Sequence, residues 1–155
     1  MTQSVLFVCT ANICRSPMAA AVLRRDLGRR GAARGFEVAS AGTHEYHVGK
    51  PAFPAAVQAA RARGIEIAAH TARRITPGDL DHYDFILAMD QANLAALRAI
   101  APTRSKHRIE LLLDYGDRFH GLEVPDPYGG EAKDFELALD MIEDGCGGLA
   151  RLLVR

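Results

Sequence analysis

A cysteine followed six positions later by an arginine, Cys9 and Arg15, carries the most chemical content in this sequence. A thiolate is a strong nucleophile, and a guanidinium fork holds two oxygens of a phosphate at once. Ser16-Pro17 follows directly and reads as a helix start, with the hydroxyl capping free N–H groups and the proline at the first helical position. Residues 9–15 then form a tight loop at the positive end of a helix dipole, where backbone N–H groups converge on an anion. Helix N-termini and neighbouring cations also favour ionised sulfur, lowering a cysteine pKa from about 8.5 toward or below neutrality. Asn12 is a residue type that tolerates the positive φ of a tight anion loop, and Ser16 is placed to donate a hydrogen bond to the sulfur. Cys14 shares the loop with Cys9, so two thiols there can join on oxidation. Together these residues describe a nucleophilic sulfur at the base of a phosphate cradle.

Displacing an ester oxygen from phosphorus also needs a proton for the leaving oxygen. Asp126, in Pro125-Asp126-Pro127-Tyr128, is the candidate donor. The flanking prolines fix two φ angles and stiffen the loop, and the Tyr128 ring can stack on an aromatic substrate. Asp-Pro is equally an ordinary turn signal, so these residues alone leave both readings open.

The elements that must position these groups alternate along the chain. Val5 to Val8 reads as a short buried strand, and the first helix is expected from Pro17 to the Leu27-Gly28 region. Phe36 to Ser40 is a second strand, and Phe53 to Arg63 a helix stopped by Gly64. Thr76-Pro77 opens a helical turn, Phe85 to Met89 is a third strand, and Asp90 caps a helix ending before Pro102. Ile109 to Leu113 is the last strand. A loop over residues 114–130 then leads to a final helix whose apolar face is Phe135, Leu139, Ile142, Cys146, Leu149 and Leu153. That face puts Cys146 in the core, while Gly145, Gly147 and Gly148 are expected to weaken the helix locally. Strands alternating with helices argue for an α/β fold, a parallel sheet with helices on both faces.

The 155 residues suit one domain with one sizeable core, and nothing marks a linker or a repeat. Nineteen basic residues balance nineteen acidic ones, so no global charge points to nucleic acid or a membrane surface. The patch Arg24, Arg25, Arg29, Arg30 and Arg34 is read as a solvated helix end. Three cysteines without metal-ligand spacing exclude a disulfide framework and a zinc site. With no charged and apolar leader, a cytoplasmic protein is expected.

Cys9-Thr-Ala-Asn-Ile-Cys-Arg-Ser-Pro17 resembles the signature loop of the low-molecular-weight protein tyrosine phosphatases, and Asp126-Pro-Tyr128 resembles their acid loop. The resemblance implies a three-layer α/β/α domain spanning residues 1–155, with a four-stranded parallel sheet in the order 2-1-3-4. It implies a protein tyrosine phosphatase with Cys9 as nucleophile, Arg15 as phosphate clamp and Asp126 as general acid and base. Thr10, Ala11, Asn12, Ile13, Cys14 and Ser16 would surround the phosphate. Tyr46 and Tyr128 would wall the cleft around the aryl group. Ser40 and His70 would brace the loop, and Asp90 matches a family acidic position near that histidine, although helix capping fully explains it. Neither metal nor cofactor is implied, because the loop supplies the positive potential itself. The expected partner is a phosphotyrosine-containing protein, the expected state a monomer or weak dimer, with no nucleic acid and no membrane.

Two departures stand out: Ala11 replaces the usual glycine, and Gly129 follows Tyr128 where a second aromatic is common. Thiol-relay arsenate reductases share the fold but need two further cysteines mid-chain, and residues 15–145 contain none. Protein arginine phosphatases tend to carry threonine where Ile13 sits, and a branched apolar residue suits an aryl group better than a guanidinium. A phosphotyrosine-binding module without catalysis leaves the three chemical residues unexplained.

Overall fold

The computed structural model describes residues 2–155. Its elements are β1 (Gln3–Cys9), α1 (Arg15–Arg29), β2 (Phe36–Gly42), α2 (Pro54–Arg61), α3 (Pro77–His82), β3 (Phe85–Ala88), α4 (Gln91–Ile100), β4 (Ile109–Leu111) and α5 (Ala132–Leu153). The four strands are all parallel, in the order β2-β1-β3-β4. This is the α/β architecture and strand order expected from the sequence.

Strand alternation divides the interior in two. Val5, Phe7 and Cys9 of β1 and Leu87 of β3 face one core, shared with α1, α2 and α5. Leu6, Val8, Ile86 and Ala88 face the other, with Leu80 of α3 and Leu94 and Leu97 of α4. Both faces of β1 are therefore apolar, as a central parallel strand demands. Cys146 is fully buried on the first side, its Sγ 3.6 Å from the Ala19 carbonyl of α1, and burial pushes its thiol well up.

Three of the boundaries that differ from the sequence reading have a cause in the packing. Helix α1 starts at Arg15, with Cys14 at the cap position. Ser16 therefore lies inside the first turn and does not cap it, because its hydroxyl is engaged by the loop described below. Strand β2 runs on to Gly42, whose carbonyl accepts from Ile75 N and whose N–H donates to the Arg73 carbonyl. Strand β4 stops at Leu111 and passes into a 3₁₀ turn over Leu112–Tyr115.

That turn explains two of the three glycines in the C-terminal half of α5, Gly145 and Gly148, and the helix is continuous despite them. A Cβ on Gly148 would lie 1.7 Å from the Tyr115 carbonyl oxygen, and one on Gly145 would lie 2.7 Å from Leu112 Cγ. The helix tolerates poor formers because the turn packs directly on its backbone. At the other end, Thr76 and Asp79 close a capping box on α3, and Asp90 Oδ1 accepts from Asn93 N to cap α4. No helix among the described residues is long and apolar enough to cross a membrane.

Candidate active site

The loop between β1 and α1 is turned inside out by its surroundings. The carbonyls of Cys9, Thr10 and Ile13 accept from the N–H groups of Thr43, His44 and Phe53, and that of Asn12 from His70 Nε2 at 2.7 Å. With its oxygens held outward, the loop presents its amides inward, and the amides of Ala11, Ile13 and Cys14 have no acceptor among the described residues. Helix α1 adds the positive end of its dipole at Arg15. Unpaired loop amides at a helix N-terminus are suited to an anion.

Asn12 sets the loop's shape. Its φ of 61° is the only positive value at a non-glycine among the described residues, so Ala11 does not need the freedom of the glycine it replaces. Arg73 N donates to Asn12 Oδ1 at 2.9 Å, which fixes the amide, since a backbone N–H can only donate. Asn12 Nδ2 must then direct its two hydrogens to Ser16 Oγ at 2.8 Å and Ser40 Oγ at 3.0 Å. Ser16 Oγ, already accepting from Asn12, lies 2.9 Å from Cys9 Sγ and 3.5 Å from the Ala41 carbonyl. An ionised sulfur can only accept, so the Ser16 proton then goes to it and not to the Ala41 carbonyl, and Asn12 N–H donates to the same sulfur at 3.3 Å. Ser40 and His70 thus both hydrogen-bond to Asn12, one to its side chain and one to its carbonyl. His70 is held below its ordinary pKa by burial, against the pull of the Asn12 carbonyl and with the Arg24 charge pushing the same way. Its neutral ring donates from Nε2.

Arg15 is 1% exposed. Its Nη1 donates to Asp90 Oδ2 at 2.7 Å and the Val124 carbonyl at 2.9 Å, while Nη2 reaches Thr10 Oγ1 at 3.5 Å and Asp126 Oδ2 at 3.7 Å. Asp90 therefore does more than cap α4. Its side-chain partners among the described residues are Arg15 and Asn93. The guanidinium does not dominate every neighbour. At Cys14, burial and the Cys9 and Asp126 charges outweigh it, and that thiol is pushed up to about 12.

Cys9, Thr10, Ala11, Ile13, Cys14, Arg15, Tyr46, His47, Asp126 and Tyr128 line one cleft of about 210 Å³. The Asp126 side chain is half-exposed at its mouth, and Oδ1 accepts from Tyr128 N at 3.1 Å, a local turn that aims the carboxylate. Tyr128 packs on Phe53 at 5.0 Å between ring centroids, and Tyr46 stacks on His44 at 4.8 Å. Both aromatic walls keep an exposed face.

Four contributors escaped the sequence reading: Asn93, whose Nδ2 donates to Thr10 Oγ1 at 3.2 Å; Arg73, through its backbone; the Val124 carbonyl; and Gly42. A Cβ on Gly42 would sit 2.8 Å from the Thr10 carbonyl oxygen, so a glycine lets β2 support the loop. The Ser-Ala-Gly-Thr run at the end of a strand was the available signal for Gly42. Backbone contacts from residues 73 and 124 left no mark of their own.

The sequence profile described as low molecular weight phosphotyrosine protein phosphatase matches residues 4–155. The chain is 42% identical over 154 residues to a low molecular weight protein-tyrosine-phosphatase of Streptomyces coelicolor, covering 96% of this chain and 92% of the relative. A crystal structure of a protein tyrosine phosphatase from Entamoeba histolytica, with Hepes in its active site, superposes with a TM-score of 0.95 at 34% identity, covering 98% of this chain and 97% of the other. The YwlE arginine phosphatase, as a mutant with a phosphorylated active-site serine, superposes with a TM-score of 0.86 at 30% identity, covering 97% of this chain and 95% of the other. By the match of profile, sequence and strand order together, the chain belongs to the low molecular weight phosphotyrosine protein phosphatase family.

Proposed function

We propose that this protein hydrolyses phosphotyrosine in protein substrates through a phosphocysteine intermediate. The observation that carries the reading is one cleft lined by a sulfur, a guanidinium and a carboxylate, Cys9, Arg15 and Asp126. In the first step the Cys9 thiolate attacks phosphorus and the S–P bond forms as the P–O bond to the tyrosyl oxygen breaks. Asp126 gives its proton to that departing oxygen. In the second step Asp126 takes a proton from water, the water oxygen attacks phosphorus, and the S–P bond breaks to release phosphate and the thiolate.

Arg15 and the inward amides hold the phosphoryl oxygens through both steps. The donors are fixed in place before the substrate arrives, so little reorganisation accompanies the reaction. The Ser16 hydroxyl and the Asn12 N–H stabilise the sulfur when it is an anion, as attacker and again as leaving group. Tyr46 and Tyr128 grip the aryl ring. Cys14 stays a neutral thiol beside Cys9 and is the group that traps an oxidised Cys9 as a disulfide.

Arginine phosphatase activity is the second reading, favoured by the likeness to YwlE. Ile13, 4% exposed at the cleft, speaks for an aryl group instead. The test is a metal-free assay of a phosphotyrosine peptide, a phosphoarginine peptide and arsenate, with the parent and Cys9→Ser side by side. Turnover of phosphotyrosine, lost in Cys9→Ser, is expected. Faster turnover of phosphoarginine, or substantial activity in Cys9→Ser, would overturn the reading.

A further inference from the structure

Arg15 is held by a closed ring of side chains. Asp90 takes its Nη1, Asn93 N donates to Asp90 Oδ1 at 2.8 Å, Asn93 Nδ2 donates to Thr10 Oγ1 at 3.2 Å, and Thr10 Oγ1 lies 3.5 Å from Arg15 Nη2. Asn93 is 2% exposed. Its Oδ1 is buried without a partner, the one such side-chain atom among the described residues. A helix cap needs only the backbone N–H of this position. A buried amide that leaves its own oxygen unmatched is costly, which calls for a reason beyond capping α4.

The reason lies in the Thr10 hydroxyl. An oxygen of this kind has two lone pairs and one proton. Arg15 Nη2 and Asn93 Nδ2 occupy the lone pairs, and the proton has no acceptor among the described residues. Thr10 lines the cleft beside Cys9 and Arg15. We propose that Asn93 is a positioning residue that, with Arg15, saturates the Thr10 oxygen as an acceptor, so that the Thr10 hydroxyl proton is presented to the phosphoryl group in the cleft. Thr10 is then a catalytic residue through its side chain as well as its backbone. Two donors on its oxygen polarise the O–H bond and strengthen the bond it gives.

This deepens the phosphatase reading and rests on it. The test compares Thr10→Val, Thr10→Ser, Asn93→Ala and the Thr10→Val/Asn93→Ala double variant of the full chain, by calorimetric dissociation constants for orthovanadate and by thermal melting. Thr10→Val is expected to weaken orthovanadate by about tenfold, the scale of one hydrogen bond to a charged group, and Thr10→Ser to restore it. Asn93→Ala should weaken it severalfold alone and not at all when Thr10 is already valine. Equal losses from Asn93→Ala in both backgrounds, or a lowered melting temperature with unchanged orthovanadate affinity, would overturn the proposal. The two readings fail separately. A parent that binds orthovanadate more tightly than Thr10→Val yet turns over no phosphotyrosine keeps the donor and removes only the activity, whereas an active parent matched by Thr10→Val removes only the donor.

Discussion

Removing the Asp126 carboxyl separates two substrates that differ in their leaving oxygen. A tyrosyl oxygen departs poorly as an anion, whereas a nitrophenyl oxygen departs well without a proton. Asp126→Ala should therefore slow phosphotyrosine hydrolysis by about 10²–10⁴ and nitrophenyl phosphate hydrolysis much less. Steady-state kcat on the two esters checks this, and equal losses would remove Asp126 from the role of acid. Cys9 and Arg15 stood out in the sequence by type and spacing and Asp126 by the resemblance of its loop to the family's acid loop, and one cleft brings the three together. Asn93 did not stand out. A lone asparagine on a helix has many uses, and only the fold brings it within 3.2 Å of a threonine 83 positions earlier. Ser16 was misjudged for a related reason. Serine before proline is a good local signal for a cap, but the Asn12 amide and the Cys9 sulfur outcompete the helix end for its hydroxyl.

The loop from β1 to α1 keeps its shape through Asn12, and His70 secures the carbonyl of that residue. Folded His70 titrates below its ordinary 6.5, so the unfolded chain takes up a proton first as pH falls. The stability owed to neutral His70 is complete above about pH 6.5, declines below it, and levels off once the folded ring is also protonated. His70→Gln should melt at a temperature that falls less steeply than the parent's between about pH 7 and 5. Parallel slopes would mean that His70 does not carry this linkage. Helix α5 offers a second test at this scale. Gly148→Ala must push the Tyr115 carbonyl aside and should cost at least about 2 kcal/mol. At Gly147 the nearest atom is the tip of Arg151 at 3.7 Å, so Gly147→Ala should be neutral or stabilise by up to about 1 kcal/mol. Chemical denaturation of both variants measures the contrast. The sequence marked all three glycines alike, because helix propensity is local and the turn that needs two of them is more than 30 positions away.

At the scale of the molecule, the cleft lies beyond the carboxyl ends of β1 and β3, where the chain has gone from β1 to β2 on one side and returns to β3 on the other. Loops leaving those two strands diverge and open a crevice. They also carry Thr10 and Asp90, which flank the Arg15 guanidinium. Strand type, parallel pairing and the two-sided core followed from apolar runs alternating with helical ones, and this much was legible from periodicity. Cross-chain supports such as Val124 to Arg15 were not, since a carbonyl has no signature in sequence. Because the amide-lined loop exists only in the folded chain, inorganic phosphate should raise the melting temperature. At a hundred times its dissociation constant the gain is about 2.7 kcal/mol. Cys9→Ser should keep this stabilisation and Arg15→Met should lose most of it. A gain undiminished in Arg15→Met would place the phosphate elsewhere.

In the proposed mechanism, phosphorus passes through the sulfur of Cys9. Rapid acid quench during turnover of a phosphotyrosine peptide, followed by mass spectrometry of the loop peptide, addresses it directly. Phosphate is expected on Cys9 at early times, absent in Cys9→Ser and longer-lived in Asp126→Ala, where the attacking water loses its base. Steady release of tyrosine with no phosphate ever found on Cys9 under conditions that preserve thiophosphate esters, or phosphate found on another side chain, would contradict it.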